Sequence, residues 1–318
     1  MLNIKDTFKS KDREIKMSAR NFKNGTYYLG RVVKGGLLDQ EKLIDAIRNA
    51  ETISSGKFKW TIGEVVEGSV GDYPYIYGEL MKYRDRGEVA VVDEVNKVEE
   101  AMIAPGLLEA KSPFVYFKDF SGIAYLHVWN QIDETRFRRQ FERIVLQKSL
   151  GFFTTCEIEA ISDLGSFHRK VLELKEINQL KARVKPPNPM FGDCWKRLNQ
   201  WIKERNDSVL QINEESKGRV GGIASQLQRV LASLINKASM DDVPELFLAD
   251  AAILMAVDGY GKGSITGVSS TKNAEITIHT SQSQKSLVFA KDPNDELLAK
   301  KVLAAFVEIA KERNMKHG

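Results

Sequence analysis

The longest uninterrupted apolar run in the chain is Ala251 to Val257, and every other apolar stretch is shorter. Runs of this length constrain the architecture strongly. A helix that crosses a bilayer needs about 20 consecutive apolar residues, so no membrane span is expected. The hydrophobic residues, 42% of the sequence, must instead be buried by packing many short elements together. The chain has no heptad array, no repeat of 20 to 50 residues and no low-complexity tract. The expected class is therefore α+β, with mixed or antiparallel sheets and packed helices. A length of 318 residues suits two domains: a basic arm over residues 1–24, an N-terminal α+β domain over 25–148 and a C-terminal α+β domain over 149–318.

Local patterns place the elements. Thr26 to Val33 is β-branched and aromatic enough for a strand, and Asp39 precedes an amphipathic helix that carries Leu43, Ile44 and Ile47 on one face. Lys57 to Tyr83 reads as strands joined by tight turns near Gly68, Gly71 and Pro74, and Val89 to Met102 as a strand running into a helix. Pro113 to Trp129 predicts a hairpin turning near Ser121-Gly122, after which Asp133 caps a helix to about Gln147. Strands over Phe152–Ile161 and Ile177–Val184 flank a helix over Phe167–Leu174. Pro186-Pro187-Asn188-Pro189 then stops the second strand, because proline offers no ladder donor. Asp193 caps a further helix to Arg205, and Gly218–Gly222 separates it from a helix through Lys237. Two successive hairpins follow, Ala251–Val257 with Ser264–Ser270 and Ala274–Thr280 with Ser286–Ala290. A last helix starts at Asp292-Pro293 and buries Leu297, Leu298, Val302, Phe306 and Ile309.

Two cysteines, Cys156 and Cys194, cannot build a stapled secreted framework. The N-terminus mixes acids with lysines and lacks an apolar signal core, so the cytoplasm is the expected compartment. Four scattered histidines lack metal-ligand spacing, and no metal or cofactor is expected.

The net charge of +4 is modest, so the distribution of charge matters more than its sum. Between Met1 and Lys34, nine basic residues face three acids. On the helix after Asp133, Arg136, Arg139 and Arg143 form a stripe at i, i+3 and i+7 opposite Phe137, Phe141, Ile144 and Val145. Strand alternation puts Lys181, Arg183 and Lys185 on one face, away from Ala182 and Val184. The next helix adds Lys196 and Lys203 opposite Cys194, Trp195, Leu198 and Ile202. Arginine forks and lysines in such rows match phosphate oxygens, with counterion release driving the binding. The alternatives are a solvated helix face paired with nearby acids and an edge strand protected by charge.

Catalytic patterns fall short of their required spacing. Asp258-Gly-Tyr-Gly-Lys-Gly-Ser264 departs from a Walker A loop, because Gly263 intervenes after Lys262, and its glycines do not make a dinucleotide fingerprint. A hairpin turn is the simpler reading. Asp72, Glu79 and Lys82, or Asp93, Glu94 and Lys97, are the carboxylate-lysine sets available to a metal-dependent nuclease. No Gly-x-Ser-x-Gly is present, Cys156 lies in an apolar-flanked strand, and Trp195 and Trp201 sit where core packing is expected.

Three segments in order carry a resemblance: Ser112-Pro-Phe-Val-Tyr-Phe-Lys-Asp-Phe-Ser-Gly-Ile-Ala-Tyr125, Leu180-Lys-Ala-Arg-Val-Lys-Pro186 and Leu254-Met-Ala-Val-Asp-Gly-Tyr-Gly261, with helices between and after them. This layout resembles RexA-type phage-exclusion proteins and the KwaB subunit of the Kiwa defence system, over about the last two thirds of the chain. The resemblance implies a cytoplasmic homodimer that binds DNA without strong sequence preference and acts in anti-phage defence. The first reading is thus a non-catalytic DNA-binding or sensing protein. Its contacts are Arg136, Arg139, Arg143, Lys181, Arg183, Lys185, Lys196 and Lys203, and a partner protein from the defence system is expected. The alternatives are a divergent metal-dependent nuclease and a protein-interaction subunit of a defence complex.

Overall fold

The computed structural model describes residues 24–93, 97–147, 154–186, 190–205, 207–216, 221–236 and 246–317. Nearly all of the basic arm lies outside the described residues. The chain runs β1 (Asn24–Gly35), α1 (Gln40–Arg48), β2 (Ile53–Ser55), β3 (Phe58–Val70), β4 (Tyr73–Asp93), β5 (Val98–Phe117), β6 (Gly122–Leu126), α2 (Glu134–Gln147), β7 (Thr155–Ala160), α3 (Leu164–Leu172) and β8 (Leu174–Val184). It continues through β9 (Met190–Gly192), α4 (Lys196–Glu204), β10 (Leu210–Glu215), α5 (Leu227–Ile235), α6 (Leu248–Val257), β11 (Gly261–Ser269), β12 (Glu275–His279), β13 (Ser286–Ala290), α7 (Asp295–Glu312) and β14 (Met315–His317). The class is α+β, and every sheet is antiparallel.

The main sheet has the order β13-β1-β6-β5-β4-β3-β2, with β7 also on β1. β1 pairs with β6 through Tyr27–Arg31. It pairs with β13 through Asn24–Tyr28 and with β7 through Gly30–Gly35. A strand has only two edges, so β13 and β7 share the one opposite β6, end to end. The sheet therefore draws strands from both sides of the expected boundary at residue 148. A second sheet, β10-β8-β11-β12, stands apart from it, and β9 and β14 form a small ribbon.

The main sheet is buried on both faces, which accounts for the continuous apolar run in β5. Phe114 and Tyr116 face one core with Phe137, Phe141 and Ile144 of α2 and Leu43 and Ile47 of α1. Val115 and Phe117 face the other, with α3, the inner faces of β8 and β11, and α4 to α7. α1 begins as its pattern predicts, with Asp39 accepting the Lys42 N–H at 2.8 Å.

Several expectations are corrected. Ala251–Val257 is not a strand but part of α6, a helix buried all round. Periodicity cannot separate these two cases when every position is apolar. β11 accordingly pairs with β8 and β12, while β13 pairs with β1, so neither of the two expected hairpins forms and β11 turns into β12 instead. Among the described residues from Val89 to Met102 there is no helix: β4 and β5 continue as a ladder from Arg84↔Leu107 to Asp93↔Val98. Asp193 is not a helix cap but opens a 3-10 turn, Asp193–Trp195, that leads into α4. α7 starts two residues later than expected, capped by Asn294, whose side chain accepts the Leu297 N–H at 3.0 Å. Leu297 itself is exposed.

Candidate nucleic-acid interface

α2 is set by its cap and its apolar face. Asp133 Oδ1 accepts the Arg136 N–H at 2.7 Å, and Phe137, Phe141, Ile144 and Val145 are buried against the sheet, which turns the arginine stripe outward. Its three members have different roles. Arg136 is held at the helix start, Nε 3.5 Å from Asp133 and Nη1 donating to the Gln131 carbonyl at 3.3 Å. Arg143 ties α2 to β2, donating to the Ser54 carbonyl and to Gln140, each at 3.0 Å. Arg139 is exposed and has no ion pair among the described residues. It lines a pocket together with Arg138, whose Nε donates to the Glu134 carbonyl at 3.1 Å.

β8 is a central strand, between β10 and β11, so protection of a sheet edge does not explain its charges. Leu180, Ala182 and Val184 are buried beneath α6, and Lys181 and Arg183 point away from it. On the neighbouring strands Arg183 lies opposite Gln211 and Lys262, and Lys181 opposite Asn213 and Ser264. Lys185 does not extend this row. It is buried, with Nζ 2.9 Å from Glu157 Oε1, because the chain leaving β8 turns in against β7. Lys196 and Lys203 are exposed on α4, which packs against β9 and α6 and contributes nothing to the pocket wall.

The pocket joins the two rows. It has a volume of about 350 Å³ and lies between α2, β7, the start of β11 and the turn after β12. Arg138, Arg139 and Lys262 supply cations, Thr135 and Ser281 supply hydroxyls, and Glu142 and Glu159 supply carboxyls. Glu142 accepts the Ile158 N–H at 2.8 Å, and burial raises its pKa. Glu157 and Glu159 project from the same side of β7 and share a hydrogen bond. Burial alone would raise Glu157, but Lys185 hydrogen-bonded to it, with Arg183 at 3.6 Å, holds it below the ordinary carboxylate range. Burial pushes Glu159 up to about 7; Lys262, 3.8 Å away, opposes the rise and Glu157 adds to it. Burial therefore favours the proton of the pair on Glu159, from which it is donated to Glu157.

The sequence alone does not single out Arg138 or the three glutamates, and it offers Lys262 only within a glycine-rich segment whose spacing departs from a phosphate loop. One signal for them existed: Glu157 and Glu159 alternate with Cys156, Ile158 and Ala160, which puts two carboxylates on one face of a strand whose other face is apolar.

The other candidates resolve into structure. Asp258 accepts from Trp195 Nε1 and from Arg313 Nη1, each at 2.7 Å, and its carbonyl accepts from Arg31 Nε at 2.7 Å. The glycines that follow serve chain geometry. Gly259 has φ +85°, and a Cβ on Gly261 would lie 2.1 Å from the Arg183 carbonyl oxygen, so the segment is a buried junction. Glu79 and Lys82 point to opposite faces of β4: Glu79 accepts from Tyr77 and Lys111, while Lys82 donates to Gln131 and sits 3.9 Å over the Phe58 ring. Glu94, of the second carboxylate set, lies outside the described residues. Among the described residues no group of three or more His, Cys, Asp or Glu is placed to hold a metal ion. Trp195 is buried, whereas Trp201 is exposed, with the Arg205 guanidinium 4.9 Å from its ring.

The family model described as Domain of unknown function (DUF4747) matches residues 40–241, more than half of the chain. The chain belongs to the DUF4747 family. No curated protein matches it. In this DUF4747 member the matched span contains α2, β7 and β8, whereas Lys262 and the turn after β12 lie beyond it. No described helix is long and apolar enough to cross a membrane.

Proposed function

We propose that this DUF4747 protein binds nucleic acid, DNA first, by holding phosphates along one face that runs from Arg138 and Arg139 on α2 to Lys262, Arg183 and Lys181 on the second sheet. The observation that carries this reading is the meeting of the two basic rows at one pocket: Lys262 lines it and lies opposite Arg183 in the ladder. The outward residues around them, Gln211, Asn213, Ser264 and Thr266, are polar and suit a sugar-phosphate backbone rather than a protein core. Arg136, Lys196 and Lys203 are secondary contacts in this reading. Arg143 and Lys185 have structural roles instead. The resemblance of the sequence to RexA-type and KwaB proteins is the ground for proposing a place in anti-phage defence, as a cytoplasmic homodimer with a defence partner.

Fluorescence anisotropy with a labelled duplex tests the binding. Affinity should fall steeply between about 50 and 200 mM salt, and replacing Arg139, Arg183 and Lys262 together by Gln should lower the magnitude of the log–log slope by about 2 to 3. Absence of binding at the lowest salt, or an unchanged slope in the triple variant, would refute the reading. The same mixtures, incubated with plasmid and magnesium or manganese, should leave the plasmid intact; cleavage would favour a nuclease. Light scattering checks the dimer.

A further inference from the structure

We infer that the pocket between α2, β7 and β11 takes a phosphomonoester, presented either by the phosphorylated end of a nucleic-acid strand or by a free nucleotide. The strand end as source rests on the nucleic-acid reading above; the pocket chemistry does not.

Shape gives the first reason. Glu159, Ala160, Gly261 and Thr280 are buried and close the floor, while Lys262, with a side chain 71% exposed, stands at the mouth. A running strand passes over such a pocket, but a terminal group can enter it. The volume of about 350 Å³ falls at the small end of ligand sites, where a group of mononucleotide size fits.

Charge gives the second. Three cations converge from two elements, Arg138 and Arg139 from one turn of α2 and Lys262 from β11. A phosphomonoester carries between one and two negative charges near neutral pH and offers three acceptor oxygens, whereas a diester carries one charge and two free oxygens. Guanidinium forks therefore gain more from the monoester. The acids on the floor offset the cations only in part: Glu142 and Glu159 face Arg138 and Lys262, but burial raises the pKa of both and so favours their neutral forms, while Glu157 behind them is matched by Lys185 and Arg183. Ser281 and Thr135 complete the wall with hydroxyl donors.

The test uses the full chain and short single strands that are identical except for a phosphate or a hydroxyl at one end, with 5′-AMP and inorganic phosphate as separate probes in calorimetry. The phosphorylated strand should bind at least about tenfold more tightly than the hydroxyl strand, AMP should compete with it, and Arg139→Gln or Lys262→Gln should remove the preference while the hydroxyl strand retains weaker binding. Equal affinity for both strands, with no binding of AMP or phosphate, overturns the inference. A preference that survives both substitutions places the phosphate elsewhere and overturns it too. Binding of AMP but of neither strand, lost in both variants, upholds the pocket and assigns it to a free nucleotide; if the labelled duplex also fails to bind at the lowest salt, the nucleic-acid reading falls alone.

Discussion

Glu159 is the side chain in which burial and chemistry are most tightly joined. Its carboxyl is 4% exposed and faces Lys262 from β11, Arg138 from α2 and Glu157 beside it, with Lys185 and Arg183 behind, and Glu142 of α2 lines the same pocket. Burial raises its pKa to about 7. Between the ordinary carboxyl value and that figure the folded chain keeps a proton that the unfolded chain releases, so this residue makes stability fall as pH rises through the window and level off above it. Glu159→Gln, which mimics the protonated acid, should flatten the profile and leave the variant about 2 kcal/mol more stable than the natural chain at pH 8, relative to pH 5. Urea denaturation at pH 5, 6.5 and 8 measures this, and parallel curves for the two proteins would show that Glu159 titrates like an exposed acid. At this scale the sequence is easiest to misread where charge is concerned. Arg31, counted with the basic N-terminal stretch, is buried over the Tyr260 ring and donates to the carbonyls of Asp258 and Phe120. Lys34 from the same stretch is pushed by burial down to about 8. A count of formal charges assigns to solvent what the fold uses internally, and only tertiary placement separates Arg139 from Arg143 or Lys181 from Lys185.

Single elements were legible where one face differs from the other. α1, α2 and β8 follow their patterns because each has a dry side and a wet side. α6 does not, because its surroundings are dry all round, and the first expected hairpin failed for that reason, whereas the second failed because β13 pairs with the distant β1. The β4–β5 ribbon is a second case. β3 accompanies β4 only as far as Lys59↔Tyr83, and β6 joins β5 only from Phe114. From Arg84↔Leu107 to Asp93↔Val98 the two strands therefore have only each other among the described residues. Met102 and Ile103 are exposed there, and among the residues of 86–105 whose side chains are described none belongs to either core. Replacing residues 86–105 by an Asn-Gly turn, the favoured two-residue hairpin loop, should leave the midpoint of thermal unfolding within about 3 °C of the intact protein, followed by circular dichroism. A drop of about 10 °C or more would show that the ribbon is part of the folded body.

At the scale of the whole molecule, length suggested a division near residue 148, but sequence patterning has no signal for which distant strand will complete a sheet. β1 is the case in point. Tyr27 and Leu29 belong to one core and Val32 to the other, and both strands on the edge opposite β6 come from beyond residue 148. β5 likewise feeds alternate side chains into both cores. Unfolding the later part of the chain would uncover one face of the main sheet and strip β1 of an entire edge. The two cores should therefore be lost together. Trp60 reports on one and Trp195 on the other, while Trp129 and Trp201 are exposed and can be replaced by Phe without disturbing either. In that background, Trp60→Phe and Trp195→Phe give two single-tryptophan proteins, each read against its own stability by far-ultraviolet circular dichroism. Fluorescence and circular dichroism midpoints in urea should coincide within about 0.2 M in both proteins, as a two-state transition requires. Midpoints about 1 M apart in either protein would mean that one core melts before the other, and that the chain divides into the two independent units that its length suggested.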